Sequence, residues 1–182
     1  MTLQDSHGRQ FTYLRLSITD VCNFSCNYCL PDGYQCDSSA PAPLSVSEIQ
    51  QLANAFAKLG TRKIRITGGE PAIRRDLVEI IRTVANTPGI EQVALTTNGY
   101  RLPEYISAWI DAGLTQLNVS IDSLDARQFH AITGHDRLQE LLQGIALAQS
   151  LGFDNIKVNA VLMREHNHQQ LDEFLAWIKT TP

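Results

Sequence analysis

The chain of 182 residues alternates between short apolar runs of strand length and longer segments with helical periodicity, and the pair repeats five times. Strands and helices that alternate at this pace form parallel sheets joined by right-handed crossovers. The predicted strands span 13–19, 63–67, 93–98, 116–122 and 156–163, and the predicted helices span 46–59, 75–86, 103–112, 125–132, 137–150 and 168–179. Two architectures fit this order, an open doubly wound sheet or part of a (β/α) barrel.

Each predicted strand has one apolar face and one polar face, because successive side chains point to opposite sides of a strand. The polar faces carry Arg15, Ser17, Thr19, Lys63, Arg65, Thr67, Thr96, Asn98, Asn118, Ser120, Asp122, Lys157 and Asn159. Parallel strands covered on both sides are normally apolar throughout, and an unpaired polar group in a dry core is costly. The pattern therefore favours an α/β fold of the partial (β/α) barrel type, with about five parallel strands, outer helices and a wet or ligand-filled lumen.

Three of the polar faces carry a cation, namely Arg15, Arg65 and Lys157. Guanidinium and ammonium groups suit phosphate oxygens, so the three together predict a site for a polyphosphate. The alternative is that these side chains lie at the outer rim of an open sheet and pair with acidic residues.

Three cysteines, Cys22, Cys26 and Cys29, follow the first strand with the spacing C-x3-C-x2-C. Thiolates on one short loop can hold a metal or an iron–sulfur cluster. Structural zinc usually needs four protein ligands, whereas three cysteines on a [4Fe–4S] cluster leave one iron open for another ligand. Cys36 lies in a loop rich in Pro, Gly and Ser, and we predict that it is an exposed thiol outside the cluster.

The second strand ends in Gly68-Gly69-Glu70-Pro71, a turn that lets the backbone approach a ligand closely. Arg74 and Arg75 follow at a predicted helix start, where they are either anion contacts or a solvated pair. His166 and His168 have no partner motif nearby, and we predict that they are surface residues.

The composition excludes several classes of protein. A formal net charge of −4 argues against a general nucleic-acid binder, and no run is long and apolar enough to span a membrane. No signal segment is visible, because residues 1–10 are polar. Clustered cysteines and an oxygen-sensitive cluster favour a reducing, cytoplasmic location.

The cysteine spacing, with Tyr28 just before the last cysteine, resembles that of the radical S-adenosylmethionine (SAM) enzymes. A closer resemblance, covering nearly the whole chain, is to the molybdenum cofactor biosynthesis protein A family, the GTP 3′,8-cyclases. It rests on YLRLSITDVCNFxCxYC, KIRITGGEP, TTNG, NVSIDSLD and KVNAV. The resemblance implies a [4Fe–4S] cluster and SAM as cofactors, GTP as substrate, and a radical that removes the ribose 3′ hydrogen before the ribose carbon attacks C8 of guanine.

The resemblance also implies the role of individual residues, none of them a side-chain acid or base. Cys22, Cys26 and Cys29 would bind the cluster. Tyr28, Gly69 and Ser120 would contact SAM. Arg15, Arg65, Thr96 and Lys157 would contact GTP, with Lys63 a weaker candidate.

Members of that family are roughly twice as long, with a sixth strand and a second cluster held by three further cysteines. We therefore expect residues 1–182 to be a radical SAM core domain that stops before the sixth strand, and to be inactive alone. The expected partners are GTP, an electron donor, a functional link to cyclic pyranopterin monophosphate synthase and a second copy in a homodimer. Two alternatives stay open: another radical SAM enzyme, or a non-catalytic iron–sulfur electron carrier.

Overall fold

In the computed structural model, five parallel strands form one sheet, surrounded by six α-helices among the described residues. The structure describes residues 2–37, 39–164 and 166–181, so the predicted domain limits Met1 and Pro182 lie outside them. The strands are β1 (Tyr13–Ser17), β2 (Lys63–Thr67), β3 (Gln92–Thr97), β4 (Gln116–Ser120) and β5 (Ile156–Asn159). The helices are α1 (Val46–Lys58), α2 (Leu77–Ala85), α3 (Leu102–Asp111), α4 (Ala126–Thr133), α5 (Leu138–Ser150) and α6 (Leu171–Thr180), and short 3-10 turns at Pro71–Ile73 and His168–Gln170 precede α2 and α6.

The order of the strands decides between the two predicted architectures. Each strand pairs with the next one along the chain, from β1 to β5, whereas a doubly wound sheet reverses its order at a switch point. Arg15 of β1 lies opposite Arg65 of β2, and Asn118 of β4 lies opposite Lys157 of β5. Within the described residues β1 and β5 do not pair with each other, so the barrel is open. The prediction of a partial (β/α) barrel is confirmed.

The apolar faces of the strands form the core against the helices. Ile64, Ile66, Leu95, Leu117 and Val119 are completely buried. Burial of apolar area is the main source of stability in a domain of this size, so these side chains set the register of the sheet. The predicted strand over 156–163 would place Leu162 on the apolar face, and this prediction is wrong. Leu162 is exposed, because β5 ends at Asn159 and the chain leaves the sheet before reaching it.

The first helix begins as predicted. Ser45 caps α1, since its hydroxyl accepts a hydrogen bond from the Glu48 N–H at 3.3 Å while the Glu48 carboxylate accepts the Ser45 N–H at 2.8 Å. At the far end of the chain, the helix predicted over 168–179 is instead one 3-10 turn followed by α6. No helix in the described part of the chain is both long and apolar enough to cross a membrane.

Three strands end two or more residues earlier than the sequence predicts, each at the edge where the strands' carboxyl ends meet. β1 stops at Ser17, β4 at Ser120 and β5 at Asn159, instead of at 19, 122 and 163. After β1, Thr19 O accepts a hydrogen bond at 2.8 Å from the Gly69 N–H, which lies in the turn after β2. Beyond β5 the Val161 N–H turns to the Asp122 side chain at 2.9 Å. The shortened ends thus become loops over the mouth of the open barrel.

Candidate active site

The cysteine loop, residues 22–29, follows β1 at the mouth of the barrel. All four cysteines of the described chain are free thiols; Cys22 and Cys26 are half-buried, whereas Cys29 and Cys36 are exposed. The three clustered thiols line one cavity of about 190 Å³, which Cys36 does not reach. The cavity is also lined by residues from four strands or strand ends: Arg15, Gly68, Gly69, Glu70, Thr96, Asn98, Ser120 and Asp122.

On one side the cysteine loop is bound to the turn after β2. The Gly69 N–H donates to Thr19 O and the Glu70 N–H donates to Val21 O, both at 2.8 Å. A Cβ at position 69 would lie 2.4 Å from Val21 O, and one at position 68 would lie 2.5 Å from Thr19 O. Only glycine permits this approach, so the Gly-Gly pair sets how closely the turn and the cysteine loop pack.

On the other side the cysteine loop rests on the carboxyl end of α4. The backbone N–H groups of Ser25 and Asn27 donate to Thr133 O at 3.2 Å and Ile132 O at 2.9 Å. Phe24 is buried and stacks on the ring of His135, with centroids 4.5 Å apart. His135 also places Nε2 2.8 Å from Asn23 O. Phe24 therefore anchors the segment between Cys22 and Cys26.

Glu70 lies inside the protein and ties two strand ends together. Its side chain is 1% exposed and accepts three hydrogen bonds, from Ala72 N–H at 2.8 Å, the Thr97 hydroxyl at 2.7 Å and Asn98 N–H at 2.6 Å. Burial raises the pKa of Glu70, and the three donors act in the opposite direction. Glu70 therefore holds the turn after β2 against the end of β3.

The three thiols fit an iron–sulfur cluster better than a single ion. Among the described residues, no three His, Cys, Asp or Glu side chains are close enough to share one metal ion. Each cysteine of a [4Fe–4S] cluster binds a different iron, so its thiols surround the cluster and need not converge on one point. Burial raises the pKa of Cys22 and raises that of Cys26 to about 12, and the negative charge of Asp122 contributes at Cys26. Bound iron would supply the positive charge that the thiolates need.

The residues predicted to contact SAM lie around the same cavity. Tyr28, Gly69 and Ser120 all line it, from the cysteine loop, the turn after β2 and the end of β4. The Tyr28 hydroxyl donates to Oδ2 of Asp122 at 2.8 Å. Burial and then this hydrogen bond raise the pKa of Tyr28, so its hydroxyl keeps its proton and can donate this hydrogen bond. Asp122 is a residue that sequence reasoning did not assign to the site, although it closes the polar face of β4.

The residues predicted to contact GTP occupy the concave face of the sheet, in two groups. Arg15 and Thr96 line the cavity beside the cysteines. Lys63 and Arg65 on β2 and Lys157 on β5 lie outside the lining of that cavity. Burial, then the charges of Arg65 and Lys157, lower the pKa of Lys63, which shows that the three cations lie within electrostatic reach of one another. Lys63 donates to Oε1 of Gln116 across β3.

Several buried polar atoms on the concave face have no hydrogen-bond partner within the described structure. They are Arg65 Nε on β2, Thr96 Oγ1 on β3 and Asn118 Oδ1 on β4. An unpaired buried polar atom costs about 1–3 kcal/mol, so three on adjacent strands are typical of a surface that a polar ligand completes. Asn118 had no predicted role; its place in the period-two polar pattern of β4 was the available signal.

Two arginines and two histidines that the sequence singled out lie outside the lining of the cavity. Arg74 is a structural residue, because its guanidinium donates to Ile18 O and Leu44 O at 2.8 Å and pairs with Asp76 at 2.6 Å. Its neighbour Arg75 is exposed and makes no hydrogen bond or ion pair with the described residues. His166 and His168 are exposed, as predicted.

An open parallel barrel with a three-cysteine loop at its mouth defines a class of protein. The chain belongs to the Radical SAM superfamily, whose family model matches residues 16–178. This membership makes a [4Fe–4S] cluster and SAM its cofactors. Solved structures agree in fold: Streptococcus suis SuiB bound to S-adenosylmethionine has a TM-score of 0.75 at 16% identity, covering 91% of this chain and 37% of that one. HydG, a maturase of the [FeFe]-hydrogenase, has a TM-score of 0.66 at 15% identity, covering 82% and 34%.

Two curated relatives are much more similar in sequence. The GTP 3′,8-cyclase of Aeromonas hydrophila subsp. hydrophila is 59% identical over 184 residues, which cover 99% of this chain and 54% of the relative. The GTP 3′,8-cyclase of Vibrio cholerae serotype O1 is 58% identical over 180 residues, covering 98% and 54%. The chain thus spans about half the length of the curated relatives it matches.

Proposed function

We propose that the chain provides the radical SAM part of a GTP 3′,8-cyclase, which converts GTP to (8S)-3′,8-cyclo-7,8-dihydroguanosine 5′-triphosphate in the first step of molybdenum cofactor biosynthesis. The observation that carries the proposal is the row of buried, unpartnered polar atoms of Arg65, Thr96 and Asn118 on three adjacent strands, of which Thr96 also lines the cavity with the cysteines. The names of the two relatives, at 59% and 58% identity, support the same reaction.

In this proposal Cys22, Cys26 and Cys29 would hold the cluster, and SAM would bind beside it in the cavity that they line. The bound cluster and SAM supply a carbon-centred radical. The chain's own residues bind and orient: Tyr28, Gly69 and Ser120 would hold SAM from three sides of the cavity that they line together. No side chain acts as a general acid or base. The protein's part is to place the ribose of the substrate and exclude water.

The cations of the concave face suit the triphosphate. Arg15 and Arg65 lie opposite each other in the register of β1 and β2, and Lys157 extends the same face on β5. The Arg65 guanidinium carbon lies over the Tyr13 ring, 5.7 Å from its centroid. A planar guanidinium held in this way can donate two parallel hydrogen bonds to phosphate oxygens.

A product assay tests the proposal. The protein that carries this chain is reconstituted anaerobically with iron and sulfide, then incubated with SAM, GTP and a reductant, with the Vibrio cholerae relative as positive control. Formation of cyclised GTP would support the proposed cyclase activity. SAM cleavage that does not depend on GTP would favour another radical SAM enzyme. A cluster whose visible spectrum does not respond to SAM would favour an electron carrier.

Substitution of the cations should separate substrate binding from cofactor binding. Arg15→Ala, Arg65→Ala and Lys157→Ala should each weaken GTP binding by about 1.5–3 kcal/mol, because each removes a charge-assisted hydrogen bond to phosphate. Calorimetric titration of the reconstituted protein with GTP and with SAM measures both affinities. Arg75→Ala is the matched control, since this exposed arginine lies outside the concave face. If GTP and SAM affinities fall equally, the three residues support the structure of the barrel and do not bind the substrate specifically.

The proposed reaction also implies partners. An external electron donor must reduce the cluster, and the cyclised product must be consumed by a cyclic pyranopterin monophosphate synthase. An oxygen-sensitive cluster favours the cytoplasm as the site of both.

A homodimer is the proposed assembly, because β5 has an open edge and α6 beside it exposes Leu171, Leu175 and Ile178. An uncovered edge strand can pair with another copy. Sedimentation velocity should therefore show an average mass that rises with concentration; a monomer at every concentration would contradict the pairing.

A further inference from the structure

Asp122 occupies a position between two loops at the mouth of the barrel. Its side chain is 3% exposed and follows β4 by two residues. Oδ2 accepts the Tyr28 hydroxyl at 2.8 Å, and Oδ1 accepts the Val161 N–H at 2.9 Å. One buried carboxylate thus joins the cysteine loop to the segment that follows β5.

The Val161 side of this bridge is rigid. Asn167 is buried, and its amide donates to the backbone oxygens of Asp122 and of Val161, the latter at 2.9 Å. The Met163 N–H donates in turn to Oδ1 of Asn167 at 2.7 Å. These bonds fix the backbone around Asp122, so its carboxylate is a stable acceptor for Tyr28.

The Tyr28 side of the bridge is the weakly held end of the cysteine loop. The backbone bonds to α4 end at Asn27, and Cys29 is exposed. The N–H groups of Cys29 and Leu30 both bind Cys26 O at 2.9 Å, which makes a turn but no contact outside the loop. In the described part of the chain, the Tyr28 hydroxyl makes the only hydrogen bond that ties residues 28 and 29 to the barrel.

We propose that Asp122 is a positioning residue for the iron–sulfur cluster, acting through Tyr28 to hold the last turn of the cysteine loop against the end of β4. Without this bond the Cys29 thiol would be held only by its short turn, and the cluster could lose that ligand more readily. Residues that orient a metal ligand from outside the ligand set typically change metal affinity about 10–100-fold when they are mutated. The inference depends on the cluster and not on the identity of the substrate.

The rate of cluster release tests this role. The reconstituted chain is mixed anaerobically with excess iron chelator, and the visible absorbance of the cluster is followed. Tyr28→Phe keeps the ring and removes only the hydroxyl, and Asp122→Ala removes the carboxylate that accepts it. Each should speed cluster release about tenfold, and the double variant should be no faster than the faster single variant, because both changes break one interaction. Hydrogen exchange in the apo-protein should rise at the amides of residues 28–30 in both variants.

Tyr100→Phe is the matched control. Tyr100 also packs near the cysteine loop, with its ring 6.3 Å from that of Phe24, but its hydroxyl has no hydrogen-bond partner among the described residues. Its cluster release should match that of the unmodified chain. Release from Tyr28→Phe within twofold of this control would overturn the proposal. A fall in thermal stability with unchanged release would also overturn it, since that result describes a structural role alone.

Discussion

Cys26→Ala is expected to abolish cluster binding. The unmodified chain should hold about four irons after anaerobic reconstitution, and the variant close to none. Cys26 lies between the other two ligands and lines the cavity with them, and the described residues offer no group of three other ligands that could take its place. Two thiolates alone would leave two irons of the cluster without protein ligands. Iron and sulfide analysis, together with the visible spectrum, measures the loss.

Cys36→Ala provides the control for this experiment. Cys36 is a free, exposed thiol outside the lining of the cavity, so its variant should hold as much iron as the unmodified chain. If Cys36→Ala loses the cluster as completely as Cys26→Ala does, the assignment of Cys22, Cys26 and Cys29 as the ligand set is wrong.

The architecture could be predicted from the sequence because two periodic signals agree. The strand–helix alternation predicts parallel strands. The polar residues at every second position of each strand predict a concave face that contacts water or a ligand. Asn118 illustrates the second signal: it is 3% exposed with an unpaired oxygen, on a strand whose neighbouring residues Leu117 and Val119 are completely buried on the opposite face. A doubly wound sheet would have no place for such a residue.

The ends of the strands could not be predicted, because they depend on contacts between segments far apart in the chain. Residues 18–19 have the composition of a strand, yet Thr19 O binds the N–H of Gly69. Val161 likewise continues an apolar run but binds Asp122. No local propensity distinguishes a backbone group that joins a neighbouring strand from one that joins a loop, since both are satisfied hydrogen bonds.

The roles of side chains at the site also depend on contacts between segments that are far apart in the chain. The motif around Glu70 predicts a ligand-binding turn, and the two glycines do permit the close approach. The Glu70 carboxylate itself is used within the protein, because it accepts hydrogen bonds from the Ala72 N–H, the Thr97 hydroxyl and the Asn98 N–H. Arg74 is similar: its charge suggested an anion site, but two carbonyl oxygens and Asp76 use its donors. Such roles become visible only when the partners are in place.

Glu70→Ala is expected to destabilise the fold by about 3 kcal/mol, because it leaves the backbone N–H groups of Ala72 and Asn98 and the Thr97 hydroxyl without their acceptor, at about 1–3 kcal/mol each. Total stabilities of single domains are about 5–15 kcal/mol, so much of the margin would be lost. Urea unfolding of the apo-protein measures the difference. Glu79→Ala is the control, since this glutamate is exposed on α2 and should change stability by less than about 0.5 kcal/mol.

Glu70→Gln separates the loss of hydrogen bonds from the loss of charge. The glutamine oxygen can still accept the bonds of Ala72 and Thr97 at Oε1, but its amide nitrogen would face the Asn98 N–H, donor against donor. The expected loss is therefore smaller, about 1–3 kcal/mol. Because Glu70 N–H and Gly69 N–H both bind the chain just before the cysteine loop, loosening this turn should also speed cluster release in proportion to the lost stability. If Glu70→Ala proves as stable as Glu79→Ala, the three hydrogen bonds do not anchor the turn, and the cysteine loop must be held from the α4 side alone.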